Sequence, residues 1–428
     1  MAPDTPADED GCFSGSAITL KDGRQLLMYT GCRKEVDAQG KKKGIQQQCI
    51  AVGDGLNYEK YEGNPVLSEK DLPEGGSKID FRDPRIFQAK DGTYLAVVGN
   101  RPADGSGQIL LFQSPDGFSW SFKSILIKNE NRYGRMWECP DFFPLDDKWV
   151  LLTSPQDMMP QGFEFHNGNG TLCLIGDFDE EAGTFTPSHA QAIDYGIDFY
   201  APQTLLTKDN RRLMIGWMQN PDTGDLHMEN RLWCGQMSLG RELFLKDGRL
   251  CQRPLKELAL LRRDEVSYEN IPLEGSLSLP GICGRSMELE IEVRDTGAGN
   301  AKDSPKEKAA KTEGKNAASY HKFTLQFAAN SDYHTNLSYR PREATLKIDR
   351  KFSGSRRAII HQRMAKVETK EGTLRLHVIL DRYSVEVFIG EGEQVMTATL
   401  YTDLAAQDIR FICDGSATLS VRAWQLVP

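Results

Sequence analysis

Four stretches of this chain repeat one pattern, and that repetition limits the possible folds more tightly than any other feature. They are "CFSGSAITLKDGRQLLMYTG", "FRDPRIFQAKDGTYLAVVGN", "ECPDFFPLDDKWVLLTSP" and "FYAPQTLLTKDNRRLMIGWM". Each holds a short strand-like run, a tight turn (Asp22-Gly23, Asp91-Gly92, Asp146-Asp147 or Asp209-Asn210) and a second, alternating apolar strand. Asp, Asn and Gly tolerate the positive φ of hairpin turns, so each unit reads as a β-hairpin. The turns recur after 69, 55 and 63 residues, which is room for about four strands with their loops. Such an interval is one blade of a β-propeller. The stretches "VGDGLNYEKY" and "SPDGFSWSF" share a turn followed by spaced aromatics and fit the outer strands of these blades.

Beyond about Asp264 the pattern changes to evenly spaced strands, among them "SMELEIEV", "KFTLQFAA", "ATLKIDR", "YSVEVFIG" and "ATLSVRAWQL". Short strands at that spacing predict an antiparallel β-sandwich. A chain of 428 residues, 39% hydrophobic, exceeds what one layered domain buries, so two domains are expected. We place the propeller at 1–252, a connector at 253–268 with a helix-like stretch from Leu255 to Arg262, and the sandwich at 269–428. The run 297–319 is rich in Lys, Ala, Gly and Glu, has no apolar face and reads as a mobile loop.

A net charge of −9 makes nucleic acid a poor partner. No run approaches the roughly 18 apolar residues of a membrane span, and "MAPDTPADED" is acidic where a secretory signal is basic and then apolar. A cytoplasmic protein without a membrane partner is therefore expected. The nine cysteines include no C-x-x-C pair and the seven histidines are dispersed, so neither zinc nor another cofactor is expected.

In the repeat frame, the first strand of each unit carries polar residues amid apolar ones: Ser14 and Ser16, Arg82 and Asp83, Glu138 and Asp141, Asp198 and Gln203. First strands of propeller blades line the central channel, so these groups are expected to converge on one polar pocket of the size of a sugar. Two carboxylates on adjacent blades, Asp83 and Glu138, suit the hydrolysis of a glycosidic bond, which needs one acid protonated and another ionised. Trp137, Phe142 and Phe143 are expected to shield Glu138 from water and keep it a proton donor. Arg82 and Arg85 are expected to hold Asp83 ionised. Turns at Asp83-Pro84 and Pro140-Asp141 are the competing explanation of the same residues.

"GCFSGSA", "FRDPRIF", "WECPDFF" and "DYGIDFYAPQT", in that order, resemble the signature blocks of glycoside hydrolase family 32, the β-fructofuranosidases. "LIGDFDEEAGTF", "IGWMQN", "SLGREL" and "DRYSVEVFIGEGE" extend the resemblance over nearly the whole chain. It implies an all-β fold, a five-bladed β-propeller followed by a β-sandwich, with four blade units present here and the first largely missing. It implies a small carbohydrate as partner: sucrose, sucrose-6-phosphate or a fructo-oligosaccharide. It makes Glu138 the general acid/base, Asp83 the transition-state stabiliser and Arg82 its companion on the fructose hydroxyls. Phe13, Ser14 and Cys139 border the fructose pocket, and Asp198 and Tyr200 close its far wall. Trp217 and Trp233 either stack on sugar faces or fill blade cores. His166 and His227 either reach the pocket rim or stay ordinary surface residues.

The family is retaining, with a carboxylate nucleophile opposite the acid, carried on an Asn-Asp-Pro-Asn-Gly type block ahead of "CFSGSA". No such block occurs in this sequence. Asp4, Asp8, Glu9 and Asp10 fall in the loop before the next blade and are not expected to reach that position. The nucleophile is therefore expected to be absent and the activity weak or lost. A ring short of one blade also leaves two apolar faces bare, from which self-association is expected. A fructose-binding protein without turnover and a fructosyltransferase are the alternative readings.

Overall fold

The structure, a computed structural model, describes residues 1–36, 40–219, 221–222, 235–298, 318–354 and 360–427. The expected mobile loop at 297–319 lies almost wholly outside these residues, as do His227 and Trp233. Four four-stranded antiparallel sheets follow one another, each in sequence order. Blade one holds β1 (Gly11–Thr19), β2 (Gln25–Val36), β3 (Lys42–Gly53) and β4 (Tyr58–Lys60). Blade two holds β5 (Phe81–Gln88), β6 (Tyr94–Asn100), β7 (Gln108–Ser114) and β8 (Ser121–Lys128). Blade three holds β9 (Trp137–Leu145), β10 (Lys148–Pro155), β11 (Leu172–Asp179) and β12 (Thr184–Gln191). Blade four holds β13 (Tyr200–Leu206), β14 (Arg212–Trp217), β15 (Arg241–Lys246) and β16 (Arg249–Pro254).

The predicted hairpin turns are all present, with positive φ at Gly23, Gly92, Asp146 and Asn210. The innermost strands pack in succession, β1 on β5, β5 on β9 and β9 on β13. Strand alternation drives this stacking. Phe142 and Phe143 point to opposite faces of blade three: Phe142 meets Phe87 of blade two, while Phe143 joins Met214 and Leu243 of blade four. Blades one and two close over Leu26, Met28 and Ile50 against Ile86, Val98 and Leu110.

The second domain begins with β17 (Arg262–Leu277), and the residues between it and Pro254 include a 3-10 helix, Lys256–Leu261, where the helix-like stretch was predicted. Then come β18 (Met287–Asp295), β19 (Tyr320–Ala329), β20 (His334–Arg340), β21 (Thr345–Phe352) and β22 (Gln362–Lys366). They are followed by β23 (Thr373–Asp381), β24 (Ser384–Ile389), β25 (Gln394–Thr399) and β26 (Asp408–Leu426). All these strands belong to one curled sheet, because the long β26 serves both halves of the sandwich. Its first part pairs with β19 and its second with β18, while β17 follows its other edge. The change of partner falls at Asp414-Gly415-Ser416. A Cβ on Gly415, at φ +108, would sit 2.6 Å from the Ser319 carbonyl oxygen, so only glycine fits the crossing.

One apolar core runs from blades two and three, through Tyr195 and Ile197, into the sandwich interior around Leu289, Phe323 and Phe411. At the start of the sandwich, Arg262 gives both halves of its fork to Glu288 at 2.7 Å and lies 4.1 Å over the ring of Trp424. His377 contacts the same carboxylate at 2.6 Å. Burial alone would push Glu288 up, but the Arg262 and His377 contacts outweigh it and hold the carboxyl at about 2, against an ordinary 4.5. A folded-state value below the unfolded one stabilises the fold above the unfolded value and is lost as pH falls through the folded one. Glu288→Gln is therefore expected to cost about 3 kcal/mol at pH 7. It should also flatten the loss of stability between pH 4.5 and 2, read by chemical denaturation across that range.

Candidate active site

Each innermost strand carries the same irregularity. Phe13 and Ser14 together oppose Thr30, Asp83 and Pro84 oppose Val98, Cys139 and Pro140 oppose Thr153, and Ala201 and Pro202 oppose Gly216. Two residues against one is a β-bulge. In blades two to four the bulge is a positive-φ residue followed by proline: Asp83 at 65°, Cys139 at 48° and Ala201 at 50°. Proline has no N–H to give a ladder and survives in a sheet at such places. Non-glycine residues at positive φ are held there only by their surroundings. Here the neighbouring blade supplies the hold.

The stitching runs from blade to blade. The Asp83 N–H donates to Thr30 Oγ1 at 2.9 Å, and the Ile86 N–H to Ser16 Oγ at 2.9 Å. The Cys139 N–H donates to Asp83 Oδ2 at 2.9 Å. The Thr204 N–H donates to Asp141 Oδ2 at 2.6 Å, and the Ala201 N–H to Ser154 Oγ at 2.9 Å. The bulges also reset the alternation, so Arg82, Glu138 and Tyr200, each just before a bulge, turn toward the axis.

They meet there. Arg82 donates from Nε (3.0 Å) and Nη2 (2.9 Å) to Glu138 Oε1, and the Tyr200 hydroxyl donates to Glu138 Oε2 at 2.7 Å. Arg82 Nη1 reaches Asp80 Oδ1 at 2.9 Å and Gln46 Oε1 at 3.2 Å. A cleft of about 720 Å³ opens over this group, lined by Phe13, Ser14, Arg82, Asp83, Glu138, Cys139, Tyr200 and Trp217 together with Cys12, Gln46, Ile79, Asp80, Ala201 and Pro221. Of the residues singled out in the sequence, Phe13, Ser14, Arg82, Asp83, Glu138, Cys139, Tyr200 and Trp217 converge on it, whereas Asp198, Ser16, Asp141 and Gln203 do not line it.

Asp198 is the correction. It is fully buried and ion-paired with Arg350 of the sandwich, and it accepts the Thr399 N–H at 2.8 Å. Ser16, Asp141 and Gln203 are also turned aside. Ser16 and Asp141 fix bulges of the next blade, and Gln203 donates to the Cys139 carbonyl at 3.2 Å. Asp141 further pairs with Arg85 at 2.9 Å. His166 is partly covered, and burial, with the charge of Arg363, pulls it down from 6.5 to about 4. Asp8 is buried under Tyr29 and Lys60 and accepts from the Cys12 thiol at 3.6 Å, Asp4 pairs with Lys60, and Asp10 pairs with Lys34; none of the three aspartates itself lines the cleft. Asp80 and Gln46 escaped the sequence reading: Gln46 belongs to a third strand, outside the repeat frame, and Asp80 lies just ahead of it in "KIDFRDP".

The surroundings of both carboxylates differ from expectation. The rings expected to shield Glu138 lie between blades instead: Trp137 donates to the Tyr133 carbonyl at 2.8 Å, and Phe142 and Phe143 occupy the inter-blade cores. Around Asp83, Arg85 is committed to Asp141 and the Arg82 fork to Glu138. Burial raises the Asp83 carboxyl above its ordinary 3.8; the Cys139 N–H and the Arg82 charge oppose it, while Glu138 adds to it. Burial, then the charges of Asp83 and Glu138, push Cys139 well up and keep it a thiol. Burial opposes the charge on Arg82, but Glu138 and Asp80 outweigh it and secure it.

Comparison with known proteins gives a consistent picture. The profile of the glycosyl hydrolases family 32 N-terminal domain matches residues 1–254, and that of the family 32 C terminal matches residues 257–425. Sucrose-6-phosphate hydrolase of Bacillus subtilis is 31% identical over 100% of this chain and 81% of its own length. Raffinose invertase of Escherichia coli is 32% identical over 98% of this chain and 81% of its own. Among solved structures, the GH32 β-fructofuranosidase of Bombyx mori aligns with a TM-score of 0.75 at 30% identity, covering 97% of this chain and 79% of that one. Sucrose-6-phosphate hydrolase from Lactobacillus gasseri aligns at 0.81 and 26%, covering 100% and 80%.

A carboxylate buried with a raised folded-state pKa weakens the fold at neutral pH, because the unfolded chain gives up that proton more readily. Asp83→Asn, which keeps an acceptor for the Cys139 N–H, is therefore expected to raise the thermal midpoint at pH 7. The gain should shrink on acidification toward pH 4, as measured by scanning calorimetry.

Proposed function

The chain belongs to glycoside hydrolase family 32, and on that footing we propose that its cleft takes the terminal β-fructofuranosyl unit of sucrose or sucrose-6-phosphate, with Glu138 as acid/base and Asp83 as transition-state stabiliser. The observation that carries this reading is the three-way contact at the axis, where Arg82 and Tyr200 fix both oxygens of Glu138 beside Asp83. Arg82 Nη1, shared between Asp80 and Gln46, faces a cleft lined by Phe13, Ser14 and Trp217, which suits a sugar with hydroxyls on one side and an apolar face on the other.

Hydrolysis with retention needs a second carboxylate about 5 Å from the acid, to attack the anomeric carbon as the leaving oxygen is protonated. The cleft carboxylates among the described residues are Asp80, Asp83 and Glu138. Asp80 is engaged on both oxygens, by Arg82 and Arg101. Asp83 is locked by the Cys139 N–H. We read the attacking group as missing from this sequence and its turnover as impaired, so that fructose binding is the activity retained. The eight described cysteines are all free thiols, which suits a reducing compartment, and we place the protein in the cytoplasm. No helix among the described residues is long and apolar enough to cross a membrane.

The face of blade four that turns away from blade three exposes Leu205 and Ile215. On blade one, residues Ala7 and Asp8 cover Tyr29 and Cys49, while Phe13 stays exposed. Apolar strand faces of this kind favour association, and we propose self-association through this sector.

Titration calorimetry is expected to detect fructose binding, weakened by Arg82→Met. Sucrose turnover should lie several orders of magnitude below that of a relative with the complete constellation. Turnover at an ordinary family rate would overturn the missing nucleophile, and absence of fructose binding would overturn the site. Light scattering is expected to show oligomers that Leu205→Glu disperses; a monodisperse monomer would refute the association.

A further inference from the structure

We propose that Arg350, on the sandwich, is a positioning residue for Glu138, acting through Asp198 and Tyr200. The segment just before β13, Asp194 to Phe199, lies along the free edge of β25. The Tyr195 N–H donates to the Val395 carbonyl at 2.8 Å and the Ile197 N–H to the Thr397 carbonyl at 2.7 Å. In return the N–H groups of Thr397 and Thr399 donate to Asp194 Oδ1 at 2.9 Å and Asp198 Oδ2 at 2.8 Å. A Cβ on Gly196 would stand 2.1 Å from the Thr397 backbone, which measures how closely the two chains lie.

Arg350 fastens the end of this segment nearest the site. Its guanidinium, fully buried, ion-pairs with Asp198 and donates to the Thr399 carbonyl at 3.0 Å, to Thr399 Oγ1 at 2.8 Å and to the Ile360 carbonyl at 3.2 Å. Thr399 Oγ1 donates to Asp198 Oδ2 at 2.7 Å, closing a triangle. Two residues on, the Tyr200 hydroxyl divides between Glu138 Oε2 at 2.7 Å and the Ser154 carbonyl at 3.0 Å. Tyr200 is itself buried, so its hydroxyl position follows from where β13 starts. An unpaired charge at Asp198 would seek water and pull that start away from β25. Other charged or titratable groups around this path are Arg363 near Asp198, and Arg82, Asp83 and the neutral Cys139 thiol around Glu138.

The test places 3-fluorotyrosine at position 200 alone and follows its fluorine resonance, with Glu138→Leu, which leaves no acceptor there, marking the signal of the broken Tyr200 contact. Arg350→Met is expected to move the resonance toward that mark, Arg350→Lys to bring it part of the way back, and Arg262→Met, which breaks a different buried pair of the sandwich, to leave it in place. A folded Arg350→Met protein with an unmoved signal overturns the proposal, as does an equal displacement in Arg262→Met. Should Arg350→Met not fold, Thr399→Val, which removes one corner of the triangle, decides in the same way. The catalytic meaning rests on reading Glu138 as the proton donor. The resonance reports the hydrogen bond itself, so that reading and this one fail separately.

Discussion

The hydrogen bond from the Cys139 N–H to the Asp83 carboxylate joins two blades and two bulges in one contact, and ties Asp83 to the residue that follows Glu138. Cys139 and Asp83 both adopt positive φ, which an L-residue leaves readily unless its neighbours forbid it. Each bulge thus depends on the adjacent blade to hold it. Relaxing either one would rotate the residue before it, Arg82 or Glu138, away from the axis. The stacking of blades and the assembly of the site are therefore the same event. A strained residue at a functional position is expected where local conformation serves chemistry rather than stability.

Arg82 carries the electrostatic side of that arrangement. One cation, buried from most of the solvent, serves Glu138, Asp80 and the nearby Asp83. With more acid than base enclosed, one carboxyl must hold its proton more firmly, and the most deeply buried, Asp83, is the one that does. A ligand hydroxyl that donated to Asp83 would favour its ionised form. Protonation in this cleft is thus tied to occupancy, through contacts that the sequence lists only as neighbours in the chain.

The fold was legible because blades announce themselves locally. Asp-Gly and Asp-Asn turns and alternating strands recur at a blade interval, and all four hairpins form at the predicted places. The site was legible in part: Arg82, Asp83, Glu138 and Tyr200 all reach the cleft. Period-2 alternation cannot say which way a side chain points beyond a bulge, and that is why Ser16, Asp141 and Gln203 were assigned to the channel but turn between blades. Proline inside a first strand, at Pro84, Pro140 and Pro202, was the available signal for the bulge. Asp198 misled for another reason. Its partner Arg350 lies 152 positions away in the other domain, and no local pattern carries that contact.

An exposed strand edge is a hazard that proteins cover, and here the cover is the entry to blade four. Asp194 and Asp198 give side-chain acceptors to the outward N–H groups of β25, and Gly196 lets the backbones close up. Each aspartate then needs a cation, since a buried carboxylate without one is costly. Arg350 answers Asp198. Arg241 of blade four answers Asp194 and also Glu386 of β24, with its guanidinium 4.3 Å over the Phe199 ring. Cations from both domains therefore hold one short segment from either side. Because that segment ends at Tyr200, the sandwich is built into the geometry of the cleft and cannot be treated as a passive appendage to the propeller.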